Sequence, residues 1–196
     1  MKKYKSLIVI AILAVLAVGY YIYLSKRPVN TDPVDSQKEK SLVAEYIARD
    51  LNATYPETPS GVVKLYSEIM KCYYSEKYTD EQLEQLVSQA RLLWDNELLE
   101  KNPMDEYMIN LKADIKSYKD KSRVIKDFKV DGSAAVEYQT DKDGAQYASL
   151  HAEYWVRENN TTTTKSYEKY MLRKDENGNW KILYWQLSEA TDIKDE

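Results

Sequence analysis

The sequence predicts an α+β fold: an N-terminal transmembrane helix, then three to four helices packed on an antiparallel sheet of about five strands. Three observations predict it. An eighteen-residue run without charge lies near the start; apolar residues then recur at helical spacing as far as Lys121; beyond that point they alternate.

From Leu7 to Leu24 no residue is charged. Eighteen residues rising 1.5 Å each span roughly 27 Å, close to the hydrocarbon thickness of a bilayer. A secretory signal has a shorter apolar core, about 7–15 residues, ending at a small-x-small site. Ala17-Val18-Gly19 fits such a site, so secretion after cleavage is the alternative. Against it, the apolar run continues from Tyr20 to Leu24, and its tyrosines suit the headgroup layer. Lys2, Lys3 and Lys5 before the span outweigh Lys26 and Arg27 after it, which favours a cytoplasmic N-terminus. The expected organisation is a cytoplasmic tail (1–6), an anchor (7–24), a linker (25–35), an extracytoplasmic domain (36–190) and a tail (191–196). This describes a single-pass protein of the cell membrane with its C-terminal domain outside.

The chain carries a net charge of −4, and its first 27 residues hold five basic and no acidic side chains, which leaves −9 for the rest. So acidic a domain argues against nucleic acid as a partner, because phosphate binding needs a basic footprint. The single cysteine, Cys72, allows no internal disulfide and reads as a buried apolar residue. Eighteen tyrosines stand against one phenylalanine. Tyrosine packs its ring while its hydroxyl keeps a hydrogen bond, which suits either ordinary core and rim positions or a partly wet cavity.

After the linker "RPVNTDPVD", Ser36 and Glu39 have capping-box spacing, and Leu42, Val43, Tyr46, Ile47 and Leu51 form a helical stripe. Thr58-Pro59 opens a second helix, with Val62, Val63, Tyr66, Ile69, Met70 and Tyr73 inward. Thr79 and Gln82 make another capping box, ahead of Leu83, Leu86, Val87, Ala90, Leu93 and Trp94. Asn102-Pro103 opens a fourth helix, with Met104, Met108, Leu111 and Ile115 inward. Five strands follow, "RVIKDFKV", "AAVEYQT", "AQYASLHAEYWVRE", "KSYEKYMLRK" and "NWKILYWQLS". The Asx- and Gly-rich joints between them suit tight hairpins, which makes the sheet antiparallel.

The closing strand, Gly178-x-Trp180-Lys181-Ile182-x-x-Trp185, resembles that of the NTF2-like (cystatin-like) superfamily. The wider pattern over residues 36–189, from "VVKLYSEIMKCYY" through "YTDEQLEQL" to "MLRKDENGNW", resembles uncharacterised single-span proteins of Gram-positive bacteria. The resemblance implies a curved sheet, a cone-shaped fold and a cavity between sheet and helices. It implies no particular activity, although the superfamily includes ketosteroid-isomerase-like and polyketide-cyclase-like enzymes. Anchored NTF2-like domains of the VirB8-like type serve as assembly parts.

Little in the chain points to catalysis. One histidine and one cysteine fall short of a zinc site, and no G-x-S-x-G elbow is present. "DKDG" and "DENG" lack the closing glutamate of a calcium loop, with Leu150 and Tyr184 at the twelfth positions. No cofactor or metal is expected. Strand carboxylates that could serve as a base are Glu137, Glu153 and Glu168, beside a tyrosine only if the sheet turns them inward. On the third strand Ala148, Leu150, Ala152, Tyr154 and Val156 share the apolar face. Tyr154 is thus the cavity residue, joined by Tyr184 or Trp185 according to the register of the last strand. Tyr147, His151, Glu153 and Trp155 share the other face and read as an interaction surface, with His151 structural or a pH-sensitive contact. The function expected is a non-catalytic module binding a protein partner or a second copy of itself. The alternative is capture of a small apolar ligand in the cavity.

Overall fold

A computed structural model describes residues 41–189 of the chain. The anchor expected over residues 7–24, its flanking tail and linker, the capping box at Ser36 and the C-terminal tail lie outside the described residues. Among the described residues no helix is long and apolar enough to cross a membrane. The single-pass reading therefore has no helix among the described residues to rest on. It is withdrawn, together with the outward placement of the domain and the membrane as a partner.

The first helix, α1 (Leu42–Ile47), is short and buries Val43. In α2 (Pro59–Ser75) the Thr58 hydroxyl accepts from the Gly61 amide at 3.1 Å, and proline takes the first helical position, where it forfeits no bond. Helix α3 (Asp80–Arg91) opens on a reciprocal capping box: Gln82 N donates to Thr79 Oγ1 at 3.2 Å and Thr79 N to Gln82 Oε1 at 2.9 Å. A short helix unforeseen in the sequence, α4 (Asn96–Lys101), is capped by Asp95, which accepts from the Glu97 amide at 2.9 Å. Helix α5 (Met104–Asp120) starts after Pro103 and buries Leu111 and Ile115.

The sheet comprises β1 (Arg123–Val130), β2 (Glu137–Thr140), β3 (Gln146–Glu158), β4 (Thr162–Lys174) and β5 (Trp180–Leu187). Its order is β1-β3-β4-β5, every pair is antiparallel, and β2 joins β3 on the same edge as β1. β1 takes the stretch of β3 from Ala152 to Glu158, and β2 the stretch from Gln146 to Ser149. Asn159 and Asn160 adopt φ of 51° and 58° in the β3–β4 turn, the left-handed pair that matches the twist of a tight hairpin. Gly178, at φ 82°, does the same service before β5.

The NTF2-like cone is not formed. The sheet is open, with β1 and β5 at its two ends and no pairing between them. The physical reason lies at the edges. β1 and β2 divide one side of β3, and the outer side of β5 is taken by the segment after α3, where Ile182 N donates to Leu93 O and Asp95 N to Ile182 O, at 2.8 and 2.9 Å. Helix α2 lies across one face, against β1, β3 and β5. The core between them is built from Val62, Val63, Tyr66 and Ile69 on the helix and Leu150, Tyr170, Leu172 and Ile182 on the sheet, all 0–1% exposed.

Candidate functional site

Between α2, α5 and the helix-bearing face of the sheet lies a pocket of about 360 Å³. Helical periodicity places Tyr66, Tyr73 and Tyr74 along one turn-spaced row of α2, and Tyr107, Asp114 and Tyr118 at matching steps of α5. The sheet supplies the floor, with Tyr154 from β3, Ser166 and Glu168 from β4, and Trp185 from β5. The rings support one another: Trp185 lies 5.5 Å from Tyr66 and stacks on Tyr170 at 6.1 Å, and Tyr74 lies 4.4 Å from Tyr118. At the rim the Tyr74 hydroxyl donates to Asp114 at 2.6 Å.

The floor holds a row of close oxygens. Ser67 Oγ donates to Val63 O at 2.8 Å and meets Tyr154 Oη at 2.7 Å; Tyr154 Oη meets Tyr170 Oη at 2.8 Å; Tyr170 Oη lies 2.6 Å from Glu168 Oε2. Four contacts require four protons, and the three hydroxyls supply three. If Glu168 is ionised, Tyr170 donates to it and Ser67 to Val63, and the single remaining proton, that of Tyr154, fills one of the two contacts left. The other brings together two oxygens with no hydrogen between them. A protonated Glu168 closes the row, each group donating to the next as far as Val63 O. Burial acts in the same direction, since loss of solvent holds the Glu168 carboxyl above its ordinary range, opposed only by the Tyr170 hydroxyl. Burial also raises the phenols of Tyr66, Tyr154 and Tyr170, so they stay neutral. Tyr107 is pushed up to about 12 for the same reason. The Tyr66 side chain is fully buried, and its hydroxyl, beside that of Tyr107, makes no well-formed hydrogen bond.

A family model described as "Domain of unknown function (DUF6715)" matches residues 1–185. The chain belongs to the DUF6715 family. No curated protein matches it. This membership, with the open sheet, corrects the NTF2-like assignment drawn from Gly178–Trp185: a Trp-bearing strand after a Gly turn is a common way to end a hairpin sheet and does not by itself specify a cone.

In this DUF6715 domain the sequence-derived cavity residues divide. Tyr154 and Trp185 line the same pocket, whereas Tyr184 is 45% exposed on the opposite face, beside Tyr147 and Met171. A bulge decides between them. Met171 pairs with Tyr184 but Leu172 with Ile182, so Leu183 is an extra residue that reverses the alternation of β5. Trp180 and Ile182 face the core before it, and Trp185 after it.

The expected interaction face is engaged within the chain. The His151 amide donates to Asp131 Oδ2 at 2.8 Å, and His151 Nδ1 lies 3.3 Å from the same oxygen. Glu153 pairs with Lys165 at 2.5 Å, and the Lys165 ammonium sits 5.3 Å from the Trp155 ring centre. Tyr147 donates to Asp141 over a long 3.4 Å. The membrane-tethered module expected to bind a protein partner or a second copy is withdrawn with its tether, since no helix among the described residues is long and apolar enough to cross a membrane. Of the three strand carboxylates, Glu168 alone lines the pocket, while Glu137 meets Ser149 at 3.4 Å. Sequence reasoning missed Ser67, Tyr170 and Asp114. The available signal was β4, where Ser166, Glu168, Tyr170 and Leu172 share one strand face and so bring polar groups to an apolar side. Among the described residues no group of three or more His, Cys, Asp or Glu could hold a metal ion.

Proposed function

We propose that the domain binds a small organic molecule in the tyrosine-walled pocket and releases it unchanged. The observation that carries this reading is the pocket itself. It has room for a ligand of roughly fifteen heavy atoms at about 20–25 Å³ each, aromatic walls, and a few convergent polar groups, the composition of small-molecule sites. The Tyr66 hydroxyl supports it, because its contact with Tyr107 falls short of a well-formed hydrogen bond and a ligand can complete its bonding. Binding without turnover is supported by the phenols, which burial holds neutral and which are then poor nucleophiles and bases.

A fragment library screened by saturation-transfer NMR against the full chain tests this. Ser166→Phe narrows the pocket from its partly exposed wall. Hits lost in that variant and recovered chemically intact from the wild type support the reading. Hits that bind both proteins equally, or come back transformed, refute it.

A further inference from the structure

Deepening that reading of the pocket, and resting on it, we infer that the occupant is a small organic cation, a quaternary or protonated amine, whose charge settles against Glu168 and displaces that residue's proton. Three observations converge. Aromatic side chains line the pocket, among them Tyr66, Tyr73, Tyr74, Tyr107, Tyr118 and Trp185, and the negative quadrupole of an aromatic face attracts a cation and repels an anion. The lining holds two carboxyl groups, Glu168 within and Asp114 at the rim, and no Lys, Arg or His. The Tyr66 hydroxyl, buried beside that of Tyr107 and without a well-formed hydrogen bond, offers a further oxygen to the ligand's polar hydrogens.

Other cations near the site are spoken for. Arg91 lies 5.1 Å from the Trp94 ring centre and 6.0 Å from that of Tyr107, and its guanidinium donates to Asn102 O. Arg123, whose charge is felt at Tyr118, is bound to Glu158 at 2.5 Å. The same chain already places a lysine over a tyrosine, with Lys181 Nζ 4.3 Å from the Tyr55 ring centre.

The row of oxygens explains how the pocket stands empty and full. Below the Glu168 titration and without ligand, a proton on Glu168 completes the row and keeps a buried charge out of an apolar space. When a cation enters, the Glu168 O–H bond breaks, its electron pair stays on the carboxylate, and the proton passes to solvent. One positive charge leaves as one arrives, so the net charge of the site is unchanged. The groups facing Glu168 are consistent with this exchange. From α2 they are the phenols of Tyr66, Tyr73 and Tyr74, and from α5 those of Tyr107 and Tyr118 with the Asp114 carboxylate. From the sheet they are Tyr154 and Tyr170. Burial raises every one of these phenols, which leaves the two carboxyl groups to answer a cation.

The test uses the full chain and three probes of one shape: choline, the neutral 3,3-dimethylbutan-1-ol, and the anion 3,3-dimethylbutanoate. Binding is followed at the Trp185 indole resonance, assigned with Trp185→Phe. Choline is expected to bind at least about tenfold more tightly than the alcohol at pH 8. Below the Glu168 titration its affinity falls about tenfold per pH unit, with one proton released per choline in calorimetry across two buffers. Glu168→Gln, which keeps the row intact with an amide donor, is expected to abolish proton release and most of the cation preference while still binding the alcohol. Alcohol or butanoate binding as well as choline overturns the cation and leaves the pocket reading standing. The same overturning follows if choline keeps its affinity and pH profile in Glu168→Gln. No shift of the indole with any probe at high millimolar concentration overturns both.

Discussion

Replacing Glu168 with glutamine turns the proton count in the pocket floor into a stability measurement. Tyr170 donates to the Glu168 carboxylate. Once Glu168 is protonated at acid pH the acid, like a glutamine amide, donates to Tyr170 Oη instead, so at pH 4 the two proteins are expected to unfold at the same urea concentration. As pH rises, the unfolded wild type gives up the Glu168 proton at the ordinary carboxyl range while the folded protein retains it, because burial raises that group. The folded state then binds more protons than the unfolded one, and unfolding free energy falls with pH. The contribution is fully present below the unfolded value and is lost as pH passes the raised folded value. The slope is up to about 1.4 kcal/mol per pH unit. Above the raised Glu168 titration the wild-type row of four contacts lacks one proton, which costs about 1–3 kcal/mol, whereas glutamine keeps its donor at every pH. Urea unfolding followed by tryptophan fluorescence from pH 4 to 8 reads the difference, in which the other titrating groups largely cancel. Glu168→Gln should become the more stable protein by about 1–3 kcal/mol once pH has passed the Glu168 titration. Parallel stability curves for the two proteins across that range would refute the protonated row.

Tyr154→Phe removes the middle oxygen, after which Ser67 donates to Val63 O and Tyr170 to an ionised Glu168 with no proton wanting. The Glu168 carboxyl should therefore titrate lower than in the wild type, seen in its carbon-13 shift, with a loss of about 1–2 kcal/mol at acid pH; an unchanged or higher titration contradicts the count. Arg173→Met strips the forked partner, at 3.0 and 2.5 Å, from Asp95, which is 5% exposed and caps α4. Chemical unfolding should report a loss of about 3 kcal/mol, the lower end for breaking a buried pair because Arg173 itself is partly exposed. Cys72 is 1% exposed and burial pushes its thiol up to about 12, with Glu76 adding to the rise. A thiol reagent at pH 8 should modify the native chain only at its rate of unfolding, and rapid labelling would show the helix α2 packing to be wrong.

Much of the architecture is legible where one short segment contains all the atoms that decide it. Thr58-Pro59 and the Thr79–Gln82 box start helices where the sequence places them, because a cap is closed within four residues. The segment "RVIKDFKV" is β1 to the residue, and the Asn and Gly turns take the positive φ that their composition offers. Helix α4 was missed because it is six residues long and its cap depends on Asp95 being held by Arg173 from β4. The "AAVEYQT" strand shortens to β2, since Ser133–Ala135 turns as a 3-10 helix before it. The cone was expected from the look of the last strand, yet closure is a property of edges, and the residues that occupy those edges come from elsewhere in the chain.

The sequence by itself determined the local order of the described elements, helices before hairpin-linked strands, and the apolar face of β3 with Tyr154 on it. Periodicity is a one-dimensional property and survives any packing. Only the tertiary structure decided that Trp185 and not Tyr184 enters the pocket, because a single extra residue at Leu183 reverses the face of a strand whose side chains alternate every two positions. Only it brought Ser67 of α2 to Tyr154, 87 residues away, and so joined Glu168 to a row of hydroxyls that a proton on its carboxyl would complete. Protonation at that carboxyl is set by distances between oxygens on separate elements, and those distances exist only once the helix lies on the sheet.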